Sequence, residues 1–321
     1  MIRLICDQSS KNAHWERFGE SISKRLLKIA NNKRGYKAVR EFFKTLHSLF
    51  DDKETSFLIG APSVLRKVIR ECNRRMRRMN HKELARTKRL CEKIFDYSKF
   101  ASAKQGWSAA KYVQNLNVRY CPYCNAETIY SLEIDKKSLS VKHARPAIIR
   151  SPLDHYYSQR EYPYLALSLC NLVPCCTRCN SSIKHDREFK PFDKFANPYE
   201  DNLHDDVRFD YIIKRPSPCF IDDETALGLR INPCANTSTK AMKLMDFFQV
   251  EKVYNELFIY EAAEIIERKR MMMSGYAQYL KENMPGLTTS QFNKLVYGYS
   301  LDPYRINIER LSKLAIDVIK R

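Results

Sequence analysis

Four cysteines form the pattern best suited to binding a metal ion. Each Cys-X-X-Cys pair presents two thiolates to one ion, and two pairs complete a closed tetrahedral zinc site. Because such a site leaves no open coordination position, we expect the zinc to be structural and not catalytic. The predicted ligands are Cys121, Cys124, Cys176 and Cys179.

Cys175 stands directly beside Cys176 and leaves the choice of the third ligand open. We prefer Cys176 because it keeps the two-residue gap to Cys179. The chain has eleven cysteines, an odd number, and its N-terminus lacks the apolar region of a signal peptide. These features argue against a disulfide framework and predict reduced thiols in the cytoplasm.

A second group of residues between and after the cysteine pairs could hydrolyse phosphodiesters. The reaction needs a nucleophilic water and a positive charge near the leaving oxygen. Histidine titrates near neutral pH, so His155 can accept the proton of the water. The side-chain oxygens of Asp154 and Asn180 are hard ligands that suit Mg²⁺ or Mn²⁺. An Asp-His pair alone is common in loops, so the prediction rests on the combination with the cysteines.

Lys184 follows Asn180 by four residues. On a helix the two side chains would share a face, and Lys184 could meet a phosphate oxygen. His185 could replace or assist it, although a surface histidine is the simpler interpretation.

This segment, residues 119 to 200, resembles the HNH endonucleases. Their ββα-metal core has an Asp-His at the end of one strand, an Asn-Leu at the start of the next and a Cys-Asn or Cys-His where the helix begins. The matching residues here are Asp154-His155, Asn171-Leu172 and Cys179-Asn180. The resemblance implies that Asn171 holds the loop that aims His155. Many relatives have the lysine three residues after the asparagine, so Lys184 departs from the pattern by one position.

A longer run also resembles a narrower group. YPYLALSLCNLVPCCTRCNSSIK, followed by FANPYEDN, is similar to HNH subunits of bacterial anti-phage systems, including the PtuB subunit of Septu and retron-linked relatives. This resemblance implies a partner ATPase and a role in defence.

The charge of the chain independently indicates a polyanionic partner. The net charge is +19 and the isoelectric point is near 9.4, which favours nucleic acid and, second, an anionic membrane surface. The most basic stretch, Arg66 to Arg89, is predicted to be a helix that contacts phosphates. It could equally be a solvated face or dock on an acidic partner. The residues chosen for nucleic-acid contact are Arg74, Arg75, Arg77 and Arg78.

The elements that must position these residues are mainly helical. Apolar residues recur at helical spacing through residues 1–116. Residues 117–200 form the predicted zinc-stabilised ββα-metal module, and 201–321 a small β segment followed by helices. One of these helices is predicted to run from Lys252 to Glu282. The fold class is therefore α+β, mainly helical, with helical regions flanking the HNH module.

The predicted function is a metal-dependent HNH endonuclease that needs structural zinc and catalytic Mg²⁺ or Mn²⁺. DNA is the favoured substrate and RNA, including tRNA, the alternative. The competing hypothesis is a zinc-stabilised nucleic-acid-binding or adaptor protein without catalysis. No apolar run approaches the about 20 residues needed to span a bilayer, so no membrane association is expected.

Overall fold

A computed structural model describes residues 3–134, 147–185, 187–234, 239–273 and 275–320. These residues are mainly helical and include three small two-stranded antiparallel sheets. The α-helices are α1 Gln8–Ala30, α2 Lys37–Ser48, α3 Pro62–Met76, α4 His81–Ile94, α5 Tyr97–Ala101, α6 Ala109–Asn115, α7 Leu203–Asp206, α8 Thr239–Phe247, α9 Val250–Leu257, α10 Ile259–Met272, α11 Tyr276–Asn283, α12 Thr289–Tyr297 and α13 Ser312–Ile319. The strands are β1 Ser131–Ile134, β2 Ala147–Arg150, β3 Leu153–His155, β4 Leu172–Pro174, β5 Val207–Ile213 and β6 Leu227–Pro233.

The N-terminal third is helical, as the apolar periodicity predicts. Asp7 caps α1 by accepting a hydrogen bond from the Ser10 amide at 2.6 Å. Ile22 and Leu26, one turn apart on α1, are buried. Pro62 stands in the first turn of α3, where its missing amide hydrogen needs no partner.

The basic stretch forms two helices, so the prediction of one helix from residue 66 to residue 89 is wrong. Helix α3 ends at Met76 and α4 begins at His81. Asn80 accepts a hydrogen bond from the Glu83 amide at 3.0 Å, and the Glu83 carboxylate accepts one from the Asn80 amide at 3.0 Å. This reciprocal cap stabilises a new helix start, and a single helix through Asn80 would forgo it.

The predicted small β segment is present as β5 and β6. The two strands pair antiparallel along their whole length, from Val207 opposite Pro233 to Ile213 opposite Leu227. Helix α13 packs against β5, and its Asp317 accepts a hydrogen bond from the Phe209 amide at 2.8 Å.

The prediction of one helix from Lys252 to Glu282 is wrong, because the structure has three shorter helices there, α9, α10 and α11. The first break is Phe258, whose buried ring has the guanidinium groups of Arg178 and Arg310 within 5.4 Å and 5.3 Å of its centre. The second break precedes α11, where Gly275 has a φ of +82°, a backbone conformation that suits glycine.

Buried apolar side chains from all three predicted regions belong to one connected core. Leu46 of α2, Leu172 of β4 and Leu314 of α13 are each fully buried within it. Helices on both sides of the cysteine-rich segment can therefore fix its geometry. No helix in the described ranges is long and apolar enough to cross a membrane.

Candidate active site and cysteine cluster

A short β-ribbon and the π-helix Arg178–Lys184 bring the predicted site residues together. Strand β3 pairs antiparallel with β4, and Asp154 and His155 lie at the end of β3. Strand β4 leads directly into Cys176 and then into the π-helix, which carries Asn180 and Lys184. The ribbon and the helix are therefore joined through the second cysteine pair.

The four predicted cysteine ligands form one buried cluster. Their sulfur atoms all lie within 4.8 Å of one another. Within the described part of the chain, these four residues are the cluster of potential ligands that is compact enough to hold a metal ion. In a tetrahedral zinc site with bonds of about 2.3 Å, sulfur atoms lie about 3.8 Å apart. The Cys124 and Cys176 sulfurs lie 3.9 Å apart. The cluster therefore has the donor chemistry and spacing of a closed structural metal site.

Polar hydrogens near the sulfurs suit thiolates. The Cys179 amide donates to the Cys176 sulfur at 3.4 Å, and the Arg178 guanidinium donates to the Cys124 sulfur at 3.6 Å. Donors and a positive charge at this position offset the negative charge of four thiolates on one divalent ion.

Cys175 is not part of the cluster, which supports the choice of Cys176. Its side chain is fully buried, and burial raises the pKa of its thiol well above the ordinary value. Its amide donates to the carbonyl of Pro152 at 3.1 Å and thereby extends the β3–β4 ribbon. Cys175 is a core residue that keeps the ribbon in register.

An open cleft of about 480 Å³ lies next to the ribbon. Asp154, His155, Asn180 and Lys184 all line it, so four of the five predicted catalytic residues meet at one surface. Asn171 does not line it. The other lining residues are Glu92, Leu153, Ser158, Gln159, Arg160, His185 and Arg187.

The surroundings of His155 suit a proton acceptor. Its Nε2 lies 3.0 Å from the carbonyl oxygen of Ala166, which can only accept, so Nε2 carries the proton and Nδ1 keeps its lone pair. The rings of Tyr97 and His155 pack in a T-shaped arrangement, with 4.7 Å between ring centres. Removal of water lowers the pKa of His155 to about 4. The imidazole is therefore neutral at pH 7 and can accept a proton at Nδ1, although a pKa this low makes it a weaker base than an ordinary histidine.

The loop that supports His155 is tied to the N-terminal helices. The loop carbonyl of Leu167 lies 2.7 Å from Nε2 of His14, a fully buried residue of α1. The amide of Leu169 donates to the carbonyl of Leu58 at 2.9 Å. The helical flank thus fixes the position of the Ala166 carbonyl that orients the imidazole.

Asn171 is fully buried behind the cleft and connects two loop segments. Its Oδ1 accepts from the Tyr157 amide at 2.7 Å. Its Nδ2 donates to the carbonyls of Tyr157 at 3.1 Å and Leu165 at 3.0 Å. These bonds join the segment after His155 to the loop that carries Ala166. The role of Asn171 in holding the loop that aims His155 stays a prediction, which these bonds support.

Lys184 forms an ion pair with Asp154, whereas the sequence predicted that its side chain would meet a phosphate oxygen. Its Nζ donates to Oδ1 and Oδ2 of Asp154 at 2.6 Å and 2.7 Å and to the His155 carbonyl at 2.8 Å. Asp154 Oδ2 also accepts from the Tyr123 hydroxyl at 2.7 Å. Lys184 and Asp154 are 3% and 5% exposed, so the ion pair is almost dry.

The π-helical turn explains how Lys184 reaches that position. The His185 amide donates to the Asn180 carbonyl at 2.8 Å, five residues earlier. A π turn accommodates one more residue than an α turn. A lysine four residues after Asn180 therefore lies within the same turn of the helix as Asn180.

Sequence reasoning missed Tyr123, which is part of the site. Tyr123 lies between the two cysteines of the first pair, and its ring stacks on Phe248 with 4.3 Å between centres. Its hydroxyl links the cysteine cluster to Asp154. The position of Tyr123 inside Cys-Pro-Tyr-Cys was the sequence feature that could have indicated its role. The direction of its side chain, however, depends on packing against Phe248, which is distant in the sequence.

The four arginines predicted to contact nucleic acid do not line the cleft. Arg74 pairs with Glu71 at 2.6 Å, and Arg74, Arg75 and Arg78 border a separate cavity of about 290 Å³ together with Glu41. Arg77 lies in the turn after α3. Their contact with phosphate stays a prediction.

Helix α4 offers a more direct basic surface beside the cleft. Its Glu92 lines the cleft, while Arg86, Arg89 and Lys93 are exposed and border a neighbouring cavity of about 530 Å³. Within the described ranges none of these three cations forms an ion pair. Unpaired cations next to a cleft favour contact with a polyanion.

The chain matches no protein-family model, no curated protein and no solved structure.

Proposed function

We propose that this protein is a metal-dependent nuclease that hydrolyses phosphodiester bonds in nucleic acid. The observation that carries the proposal is the state of His155. It is a neutral imidazole with an oriented Nε2–H and a proton-accepting Nδ1, and it lines the same cleft as Asp154 and Asn180. The sequence resemblance to HNH endonucleases supports the same reading.

In this proposal His155 accepts the proton of the attacking water at Nδ1. The water oxygen forms a bond to phosphorus, and the bond from phosphorus to the leaving oxygen breaks. The carbonyl of Ala166 holds the imidazole and stabilises the positive charge that it acquires. Asp154 and Asn180 would hold Mg²⁺ or Mn²⁺, which when bound supplies positive charge to the phosphate and the leaving oxygen.

The cysteine cluster would hold zinc as a structural ion. The ribbon has few residues and little core of its own, so metal–thiolate bonds would replace missing apolar burial. The Tyr123 hydroxyl connects this cluster to Asp154, so the zinc would also stabilise the position of the carboxylate.

The test is cleavage of plasmid DNA, DNA oligonucleotides and tRNA by purified protein with Mg²⁺ or Mn²⁺. His155→Ala should lower the rate by about 10²- to 10⁴-fold, the usual contribution of a general base. His47→Ala is the control, because His47 lies on α2 and does not line the cleft. Equal activity of wild type and His155→Ala would refute the proposal. The same panel decides between DNA and RNA.

One observation favours a second candidate, a zinc-stabilised binding protein without catalysis. Lys184 neutralises the carboxylate that would otherwise hold the catalytic ion. A protein of this kind would bind the same nucleic acids but would cleave none of them in the presence of any divalent metal ion.

We further propose that the nuclease works with a partner ATPase in anti-phage defence. Its support is the similarity of the run from Tyr162 to Lys184 to PtuB-type subunits, together with exposed apolar side chains on the C-terminal helices. Those side chains are Tyr276, Tyr279 and Leu295, together with Met273 directly after α10. Co-purification from the native host with an ATPase would support this assembly, and recovery of the chain alone would contradict it.

A further inference from the structure

The ion pair of Lys184 and Asp154 has the geometry of a cation bound in an oxygen cage. The ammonium contacts both carboxylate oxygens and the His155 carbonyl, all within 2.8 Å. An ammonium has three hydrogens to donate, so these three oxygens use all of them. The ring of Phe189 covers the ammonium, with its centre 4.5 Å from Nζ.

The same oxygens are the ligands that a hard divalent cation would use. A carboxylate has about four lone-pair positions, of which Lys184 takes two and the Tyr123 hydroxyl takes a third. A divalent ion bound to Asp154 while Lys184 stays in place would also lie close to a second positive charge. Full coordination by Asp154 therefore requires the ammonium to leave.

Lys184 has room to move when it is displaced. It ends the π-helix and lines the open cleft, so rotation about the bonds of its flexible stem can carry the ammonium toward solvent. Tyr123 keeps its hydrogen bond to Asp154 and can hold the carboxylate in place meanwhile.

We propose that Lys184 is an internal competitor of the divalent ion at Asp154 and sets the metal affinity of the cleft. This inference rests on the proposed function, in which Asp154 holds the catalytic ion. Without the ion, Lys184 neutralises Asp154 and contacts both of its carboxylate oxygens. With the ion, the ammonium is released into the cleft, where nucleic-acid phosphates would bind.

A second buried lysine pair provides a matched control. Lys313 and Asp317, four residues apart on α13, pair at 2.7 Å, and their side chains are 1% and 8% exposed, against 4% and 6% for Lys184 and Asp154. Neither residue lines the cleft. Loss of Lys313 should disturb a buried ion pair without altering the competition.

The first experiment is Mn²⁺ titration of the full-length, zinc-loaded protein, followed by electron paramagnetic resonance of free Mn²⁺. Lys184→Met should tighten Mn²⁺ binding by at least about tenfold, because one positive charge is removed within a few ångströms of the ion. Lys313→Met should leave it unchanged, and Asp154→Asn should abolish it. Zinc content and thermal unfolding confirm that each variant is folded.

The second experiment uses the wild-type protein and so does not depend on the folding of a variant. Reductive methylation with mass spectrometry measures how accessible each lysine amine is. Mn²⁺ should increase modification of Lys184, which is 3% exposed in this structure, and leave that of Lys313 unchanged.

The outcomes separate the inference from the proposed function. Equal or weaker Mn²⁺ binding by Lys184→Met, with binding still lost in Asp154→Asn, overturns the competition and leaves the nuclease proposal standing. Constant Lys184 modification at saturating Mn²⁺ overturns it as well. Equal Mn²⁺ binding by wild type, Lys184→Met and Asp154→Asn refutes Asp154 as a metal ligand, and with it both proposals.

Discussion

Substitution of Asn171 should lower the stability of the fold, whereas substitution of Asn180 should weaken metal binding. Asn171 is fully buried and makes three side-chain hydrogen bonds, at 2.7, 3.1 and 3.0 Å. Asn180 is half-buried at the cleft, and its side chain makes no hydrogen bond within the described part of the chain. We therefore expect Asn171 to be a stability residue and Asn180 a metal-binding residue.

The size of the Asn171 effect follows from its partners. Asn171→Ala leaves the amide and the carbonyl of Tyr157 without partners in a buried region, while the Leu165 carbonyl keeps its hydrogen bond from the Ser168 amide. Each unsatisfied group costs about 1 to 3 kcal/mol, and partial relaxation brings the total to about 3 to 5 kcal/mol. That loss is a large fraction of the about 5 to 15 kcal/mol that stabilises a typical domain. Asn171→Asp should be similarly damaging, because its carboxylate would face the carbonyls of Tyr157 and Leu165.

Urea unfolding followed by tryptophan fluorescence measures this difference. Asn180→Ala is the matched control and should stay within about 0.5 kcal/mol of wild type, since no buried partner is lost. It should nevertheless weaken Mn²⁺ binding and cleavage. A free energy of unfolding for Asn171→Ala within about 1 kcal/mol of wild type would refute the clamp assigned to Asn171.

Three further predictions concern the zinc, the acid stability and the basic surface. Cys121→Ser should lose bound zinc and Cys175→Ser should keep it, as measured by metal analysis of purified protein. Burial lowers the pKa of His14 to about 3, so the unfolded chain binds its proton first, and this residue should contribute about 1.4 kcal/mol per pH unit to the loss of stability from pH 6.5 toward 3. Burial of His155 and His204 adds a loss of the same sign, so His14→Gln should remove only its own share of the slope of the unfolding free energy against pH, and an unchanged slope would contradict the prediction. Glutamate substitutions on α4 should weaken nucleic-acid binding and reduce the salt slope by about 0.9 for each lost phosphate contact, more than the same changes in α3. The α4 positions are Arg86, Arg89 and Lys93.

The cysteine cluster could be predicted because its geometry is mostly local. A Cys-X-X-Cys turn brings its two sulfurs together wherever it occurs, and the predicted β-ribbon brings the two turns into contact. The choice between Cys175 and Cys176 also followed from spacing. The helical flanks were predictable for a similar reason, since apolar periodicity acts over one or two turns.

One of the two helix breaks could have been predicted from the local sequence, and the other could not. The Asn80 and Glu83 capping box was present in the sequence, but the continuous run of basic residues favoured one long helix. The break at Phe258 had no local signal of this kind. It accompanies the packing of the Phe258 ring near Arg178 and Arg310, which are far away in the chain.

The sequence by itself determined which residues could act: the four thiols, the Asp-His pair and the two asparagines. Tertiary structure decided the state of each group. The neutral His155 and its tautomer depend on Ala166 and Tyr97, and the contact of Lys184 with Asp154 depends on a π turn and on Phe189. Residue type and spacing specify which atoms are available. Protonation and ion pairing depend on burial and on neighbours distant in sequence, which only the folded chain supplies.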